Sequence, residues 1–564
     1  MEINVTEKCC LSMISFFRNK QLLKMLRRNV KHSYRFVLFT LFLFLSFRQY
    51  WNGLQNSYSN VPFADSWALI EGIAASDGEF NPEIFWMPHN EHRIGFIKFL
   101  YYLNFHIFHN AEFSFTIIHI IFLMVASFIL SLSVSKSLRL IQYPIFVFFF
   151  SLLTFFPWNS INIIWSFQIT FVLSIILPVL TFISLVRFIQ GKSIGSFLIF
   201  AVLNLSLMTT GGAGIAAAIC LPFIALIVKC KKIEFIYILL VNLMIISFYL
   251  QGLPQSKHLE FVNLVLFIPR YVLVFLGSPF MNLFGINRTA VTDNQVLIAL
   301  MFGFMGSILI LYGLKILYSN RNSNSWNNVN FAFIIYLLMI PFLASYSRSS
   351  FGVSHALTSS YLLFSSLLYA VVSLVIIAYL FDRQSKKFTF LSIAKYLIIV
   401  LVTLILILNT NRSTTYTDNF GHYKDRAGLA LMLRINDENT QASIYPVSPQ
   451  KNNTLKLTEW LKERNSGFTR DYFKEFHVIN VSTERLGCLA FFEQIRIVDS
   501  KVNEIGIILD SKTLHPKLYF QSASFSVFLI QNPKKDDGTS FTYWGYLIKK
   551  SDKTMIPSSL CVKN

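Results

Sequence analysis

The sequence predicts an α-helical polytopic membrane protein, with about eleven transmembrane helices followed by a small α+β domain. Three observations carry this. The 564 residues are 54% hydrophobic and only 14% charged, against about a quarter charged in ordinary soluble domains. The apolar residues, 58 Phe among them, fall into runs long enough to cross a bilayer. Basic residues gather between those runs, and every second gap carries Lys or Arg, as expected for cytoplasmic loops. The net charge of +20 therefore reflects topology. No aromatic interleaving of a nucleic-acid face accompanies it, so nucleic acid is not an expected partner.

In chain order, residues 1–33 form a basic cytoplasmic segment, and residues 11–31 suit an amphipathic helix on the inner leaflet. No small-residue cleavage site follows the first apolar run, which reads as an uncleaved signal anchor. The membrane domain covers 34–408. Its spans fall at about 34–50, 113–134, 143–157, 165–186, 194–209, 213–228, 234–250, 296–318, 331–346, 361–381 and 390–408. The first delivers a large loop, 51–112, to the outer face. Two apolar segments do not fit as full spans: 94–108 is short and contains Lys98, and 261–280 is broken by Pro269 and Arg270. Either one, counted alone, would put the later basic loops outside, so both read as interfacial or re-entrant helices. Pro178, Pro222 and Pro341 are candidate helix breaks.

Residues 409–564 change character, with charges of both signs and an amphipathic segment near 419–437. The runs EIGIILD, KLYFQSASFSVFLIQ and TYWGYLIKK read as strands. Eleven spans place this domain outside the cytoplasm. In an oxidising periplasm, Cys488 and Cys561 are expected to form a disulfide.

The chemistry concentrates in 62–94. Asp65 follows the first span and precedes SWALIEGIAA, a helix pattern, so it can serve as helix N-cap, as general base, or as both. Trp67 lies beside it. The run HNEHR holds His89, Glu91, His92 and Arg93. His89 and Glu91 have the donors for a divalent cation, yet no standard zinc spacing is present, so a metal is possible but not indicated. Arg93 can grip a phosphate bidentately or snorkel. Arg348 runs against the charge bias of the outer loops, and Arg270 interrupts an apolar run; each is a candidate phosphate ligand or a surface cation. Trp165 and Gln168 suit sugar stacking and hydrogen bonding, or an ordinary aromatic belt. TTGGAG at 209–214 is a tight turn or close helix contact without the Lys of a phosphate loop. Asp77, Glu79 and Glu83 read as a solvated connection, and Glu71 stays undecided.

The large first outer loop with an acidic residue, the interfacial helix at 94–108, and the pair ADSW and PHNEHRI together resemble the GT-C superfamily of polytopic glycosyltransferases. The likeness is greatest to bacterial O-antigen-modifying, serotype-converting glucosyltransferases, which also show a late outer Arg and Tyr, as at Arg348 and Tyr361. An Arg expected just before that Tyr is replaced by Ser360. The resemblance implies transfer of a sugar, glucose by analogy, from undecaprenyl phosphate to a hydroxyl of an O-antigen or lipid-linked glycan. This would occur at the periplasmic face of the bacterial inner membrane, with inversion and no required cofactor. Asp65 would be the base. Glu91 and His92 would position the acceptor or assist the base, and Arg93 and Arg348 would stabilise the leaving phosphate. An O-antigen polymerase, a membrane acyltransferase and a lipid-linked glycan flippase or transporter are the alternatives. The large loop comes first rather than late, spans three to eleven carry no His, and the ionisable residues collect on one face; these features weigh against them.

Overall fold

The computed structural model describes residues 44, 47, 48, 50, 51, 54, 59–90, 92–155, 159–253, 261–283, 292–384, 424, 428, 431, 451–469, 477–479, 490–496, 504–510, 525–530 and 543–549. The chain divides into two compact units, Met1–Gln55 and Asn56–Asn564. In the first, Phe47 and Trp51 stack one helical turn apart, with ring centroids 6.3 Å apart.

The second unit opens with three helices outside the long apolar runs: α1 (Asp65–Ala75), α2 (Pro82–Trp86) and α3 (Gly95–Phe108). Next come α4 (Glu112–Leu138), α5 (Gln142–Phe155), the short α6 (Asn159–Ile164), α7 (Ile169–Gly191), α8 (Ile194–Ser206), α9 (Gly212–Ile227) and α10 (Lys232–Leu250). The remaining helices are α11 (Phe261–Leu283), α12 (Asp293–Ser319), α13 (Ser325–Ser347), α14 (Ser359–Gln384) and α15 (Lys451–Glu463).

Among the described residues seven helices, not eleven, are long and apolar enough to cross a membrane. The protein is thus multi-pass by helix length and hydropathy. The runs at 143–157, 194–209 and 213–228 do form helices, but α5, α8 and α9 have only 14, 13 and 16 residues. At 1.5 Å per residue such helices reach roughly 20–24 Å. The run at 390–408 lies outside the described residues, as does most of 34–50. Pro178, Pro222 and Pro341 each sit inside a continuous helix. Large apolar side chains on α8, α10 and α12 point outward, among them Ile194, Val202, Met244, Met301 and Leu311. Water would make these faces costly and lipid covers them.

Helix ends sort into two faces. On one, Asn324 Nδ2 donates to the Lys136 carbonyl at 2.7 Å and Ser137 Oγ to Asn327 Oδ1 at 2.5 Å, so α4 and α13 pack antiparallel. Lys192 and Glu234 meet at 3.9 Å where α7 and α10 turn back. The cations Lys136, Arg139, Arg187, Lys192, Lys229, Lys231, Lys232 and Arg321 cluster at these ends. The opposite face carries α1–α3. There, the Gly211 amide donates to the Arg93 carbonyl at 3.0 Å.

Helix α11 differs from expectation. Pro269 and Arg270 do not break it, and by length and composition it is one of the seven. It packs backbone to backbone on α12: a methyl on Gly277 would overlap the Ala299 carbonyl, and one on Gly303 the Leu273 carbonyl. Its neighbour α10 ends at the α1–α3 face, and α12 runs from that face to the other.

Toward the C-terminus, α15 packs on α1. Five strands, His477–Ile479, Ala490–Arg496, Glu504–Asp510, Phe525–Ile530 and Tyr543–Lys549 (β1–β5), form one antiparallel sheet in the order β1-β2-β3-β5-β4. Three of these lie within the expected strand runs. The segment near 419–437 is described only at residues 424, 428 and 431.

Candidate functional site

The site begins at Asp65. Ala64 turns with φ 47° and ψ −121°, a conformation uncommon for a residue bearing a Cβ, and Asp65 becomes the first residue of α1. It is not the N-cap, and no side-chain cap is made. Its carboxylate turns instead to His89, whose Nε2 lies 3.1 Å from Oδ1. With Asp65 ionised, that contact requires the hydrogen on Nε2. His89 is placed by a tight turn: its amide donates to the His92 carbonyl at 2.7 Å, and the His92 amide returns the bond at 3.0 Å. Asn90 takes the positive φ of 52° that such a turn needs. The His89 ring rests on Phe167, at 5.4 Å between centroids.

Asp65 and His89 open onto a cavity of about 750 Å³, within the range of small-molecule sites. Trp165 forms one wall, with Phe63 set edge-on to it at 5.1 Å. Glu71, Glu79 and Asn81 add polar groups, and Lys98 and Tyr102 of α3 close the far side. The Asp65 side chain is 33% exposed and His89 12%, so the carboxylate is the more open of the two.

Behind the cavity lies a buried polar cluster. Tyr101 donates to Ser66 at 2.8 Å and is bonded to Ser166, and the two serines lie 3.0 Å apart. Burial pushes the Tyr101 hydroxyl well above its usual pKa. This cluster ties α1 to α3 and to the turn before α7.

Arg93 is not at the cavity. It is 4% exposed, lies over the Trp86 ring at 4.6 Å and gives its hydrogens to backbone carbonyls. Nε reaches the Tyr249 carbonyl at 2.9 Å, and the two terminal nitrogens hold those of Trp86 and Gln251. Burial lowers its pKa. The guanidinium expected to hold a phosphate instead joins the ends of α2 and α10 and does not line the cavity.

The other expected residues separate. Trp67 is 1% exposed, faces Phe468 at 5.9 Å and belongs to the core behind α1. Helical geometry explains this, because residues two apart project about 200° from one another. Asp65, Ala68, Leu69, Gly72 and Ser76 share the cavity face and Trp67 does not. His92 turns to the TTGGAG turn, where a Cβ on Gly212 would stand 3.4 Å from its Cε1. Gln168 is buried beside His119 and Asn162 rather than in the cavity. Arg270 is exposed on α11. Arg348 lies by the Phe351 ring at 5.5 Å, and Tyr361 by His355 at 5.7 Å; neither lines the cavity. Glu91, Cys488 and Cys561 lie outside the described residues. Among those described, no group of three His, Cys, Asp or Glu side chains is placed to hold a metal.

The sequence reading passed over Lys98, Glu79 and Tyr102. Glu79 is exposed in the connection between α1 and α2, as expected, and also lines the cavity, while Asp77 pairs with Arg464 and accepts from the Trp460 indole at 3.3 Å. Lys98 donates to the Ile84 carbonyl at 2.8 Å and the Met87 carbonyl at 2.6 Å. Burial, then the nearby Arg93 charge, pushes its pKa down to about 8. The available signal was a lone Lys within an aromatic helix of the same loop.

Comparisons with protein-family models, with curated proteins and with solved structures give no match for this chain.

Proposed function

We propose that this protein is a membrane glycosyltransferase. It moves a sugar from a polyprenyl phosphate to a glycan hydroxyl, in the cavity at the face opposite the basic loops. The Asp65–His89 pair carries this reading: an oriented carboxylate, a third exposed, opening on a sugar-sized cavity with an aromatic wall. Asp65 takes the proton of the acceptor hydroxyl. The oxygen attacks the anomeric carbon as the bond to the phosphate oxygen breaks, and polyprenyl phosphate leaves with the electron pair. Attack from the opposite side inverts the anomeric centre. His89 holds the carboxylate in line, and Trp165 offers a ring for the sugar face.

The basic face is cytoplasmic by charge bias, which makes the cavity face periplasmic in a bacterial inner membrane. The donor would be undecaprenyl-phosphate glucose and the acceptor an O-antigen unit, as the resemblance to serotype-converting enzymes suggests. The test is transfer of labelled sugar by purified protein in a bilayer. Wild type forms product and Asp65→Asn does not, at equal folding.

A further inference from the structure

Of the cations expected to meet a phosphate, Arg93 is bound to backbone carbonyls and Arg348 and Arg270 lie off the cavity wall. Lys98 is the one Lys or Arg among the described residues lining the cavity. An ammonium has three hydrogens, and two of them reach the Ile84 and Met87 carbonyls at the end of α2. Those two bonds fix the nitrogen at the wall.

The other charged groups on the wall, among the described residues, are acidic. Asp65, Glu71 and Glu79 repel an anion, so a phosphate can approach only on the α3 side. We propose that Lys98 binds the phosphate oxyanion of the substrate and so sets its orientation, with the phosphate at α3 and the sugar directed toward Asp65 and Trp165. The ligand is a phosphate monoester or diester, either a lipid headgroup or a soluble phosphate. This deepens the glycosyl-transfer reading and rests on it for the presence of a phosphate. Two neutral donors could hold the same carbonyls at less cost. Burial and the Arg93 charge already disfavour the ammonium, so a role that needs the charge accounts for a Lys here.

The test measures binding of undecaprenyl monophosphate, without sugar, to the full chain in zwitterionic nanodiscs, with inorganic phosphate and glucose 1-phosphate as soluble arms. Lys98→Met and Lys98→Gln are expected to weaken binding at least tenfold and Lys98→Arg to retain most of it. Wild-type binding in both Lys98→Met and Lys98→Gln overturns the proposal. Competition by the soluble phosphates identifies a free phosphate ligand, and none identifies the lipid headgroup. If the neutral variants fail to stay monodisperse, acylation of Lys98 in wild type decides: slowing by the lipid phosphate or a soluble phosphate supports the site, and an unchanged rate with all of them rejects it. Lys98-dependent binding without sugar transfer leaves this site standing and removes the transferase reading. Transfer with binding indifferent to Lys98 removes the site alone.

Discussion

Replacing Arg93 should unfold the site end of the helical bundle rather than disable the chemistry directly. The side chain is 4% exposed and holds the carbonyls of Tyr249, Trp86 and Gln251. Tyr249 is buried and Trp86 half-buried, whereas Gln251 is exposed, so water can replace Arg93 at Gln251 but poorly at the other two. A hydrogen bond from a charged group is worth about 1.5–3 kcal/mol when its loss strands a buried partner. Two such bonds, partly relaxed, put the cost of Arg93→Gln at about 2–4 kcal/mol. Arg93→Lys cannot reproduce the planar fork and should recover only part of this. Thermal unfolding of the purified protein, followed by intrinsic fluorescence, gives the stability, and binding of undecaprenyl monophosphate gives the phosphate contact. Arg93 variants are expected to unfold earlier while the folded fraction binds normally. Unchanged stability with selective loss of phosphate binding would refute the tether and restore the phosphate role.

The remaining expectations concern the pair, the cavity cation and the helix contact. His89→Ala should lower transfer about 10- to 100-fold, within the range for a misplaced acid–base group, and His89→Gln, which keeps a donor, should recover part of it in the same assay. Lys98 binds an anion only as the ammonium, and its pKa stands at about 8. Phosphate binding should therefore be full well below pH 8 and fall as pH rises through it, and titrating the binding constant from pH 6 to 10 checks this. Gly277→Ala drives a methyl into the Ala299 carbonyl and should cost about 1–3 kcal/mol or more, read as a lower unfolding temperature; no change would mean that α11 and α12 separate freely.

Much of this was legible because it is local. The long helices follow from apolar runs, and the two faces from the placement of Lys and Arg. Asp65 and His89 meet across 24 positions; the helix pattern after Asp65 and the HNEHR run singled out each, but not their pairing. Gly214 confirms the tight turn read at TTGGAG, since a methyl there would overlap the Leu207 carbonyl. The roles of Arg93 and Lys98 were not legible. Both are cations in one loop, and what separates them is α10, whose carbonyls at Tyr249 and Gln251 are more than 150 positions away. Trp67 was within reach: the helix pattern of residues 65–75 already puts it opposite Asp65. Glu79 is the exposed connector its sequence suggests, and the fold of α1 against α2 also brings it to the cavity.

The most direct measurement is sugar transfer by wild type and Asp65→Asn, reconstituted side by side with undecaprenyl-phosphate sugar and an acceptor glycan. A general base contributes about 10²- to 10⁴-fold. The Asp65–His89 site predicts a loss of that size in the variant, with unfolding temperature preserved. Full transfer by Asp65→Asn would contradict it.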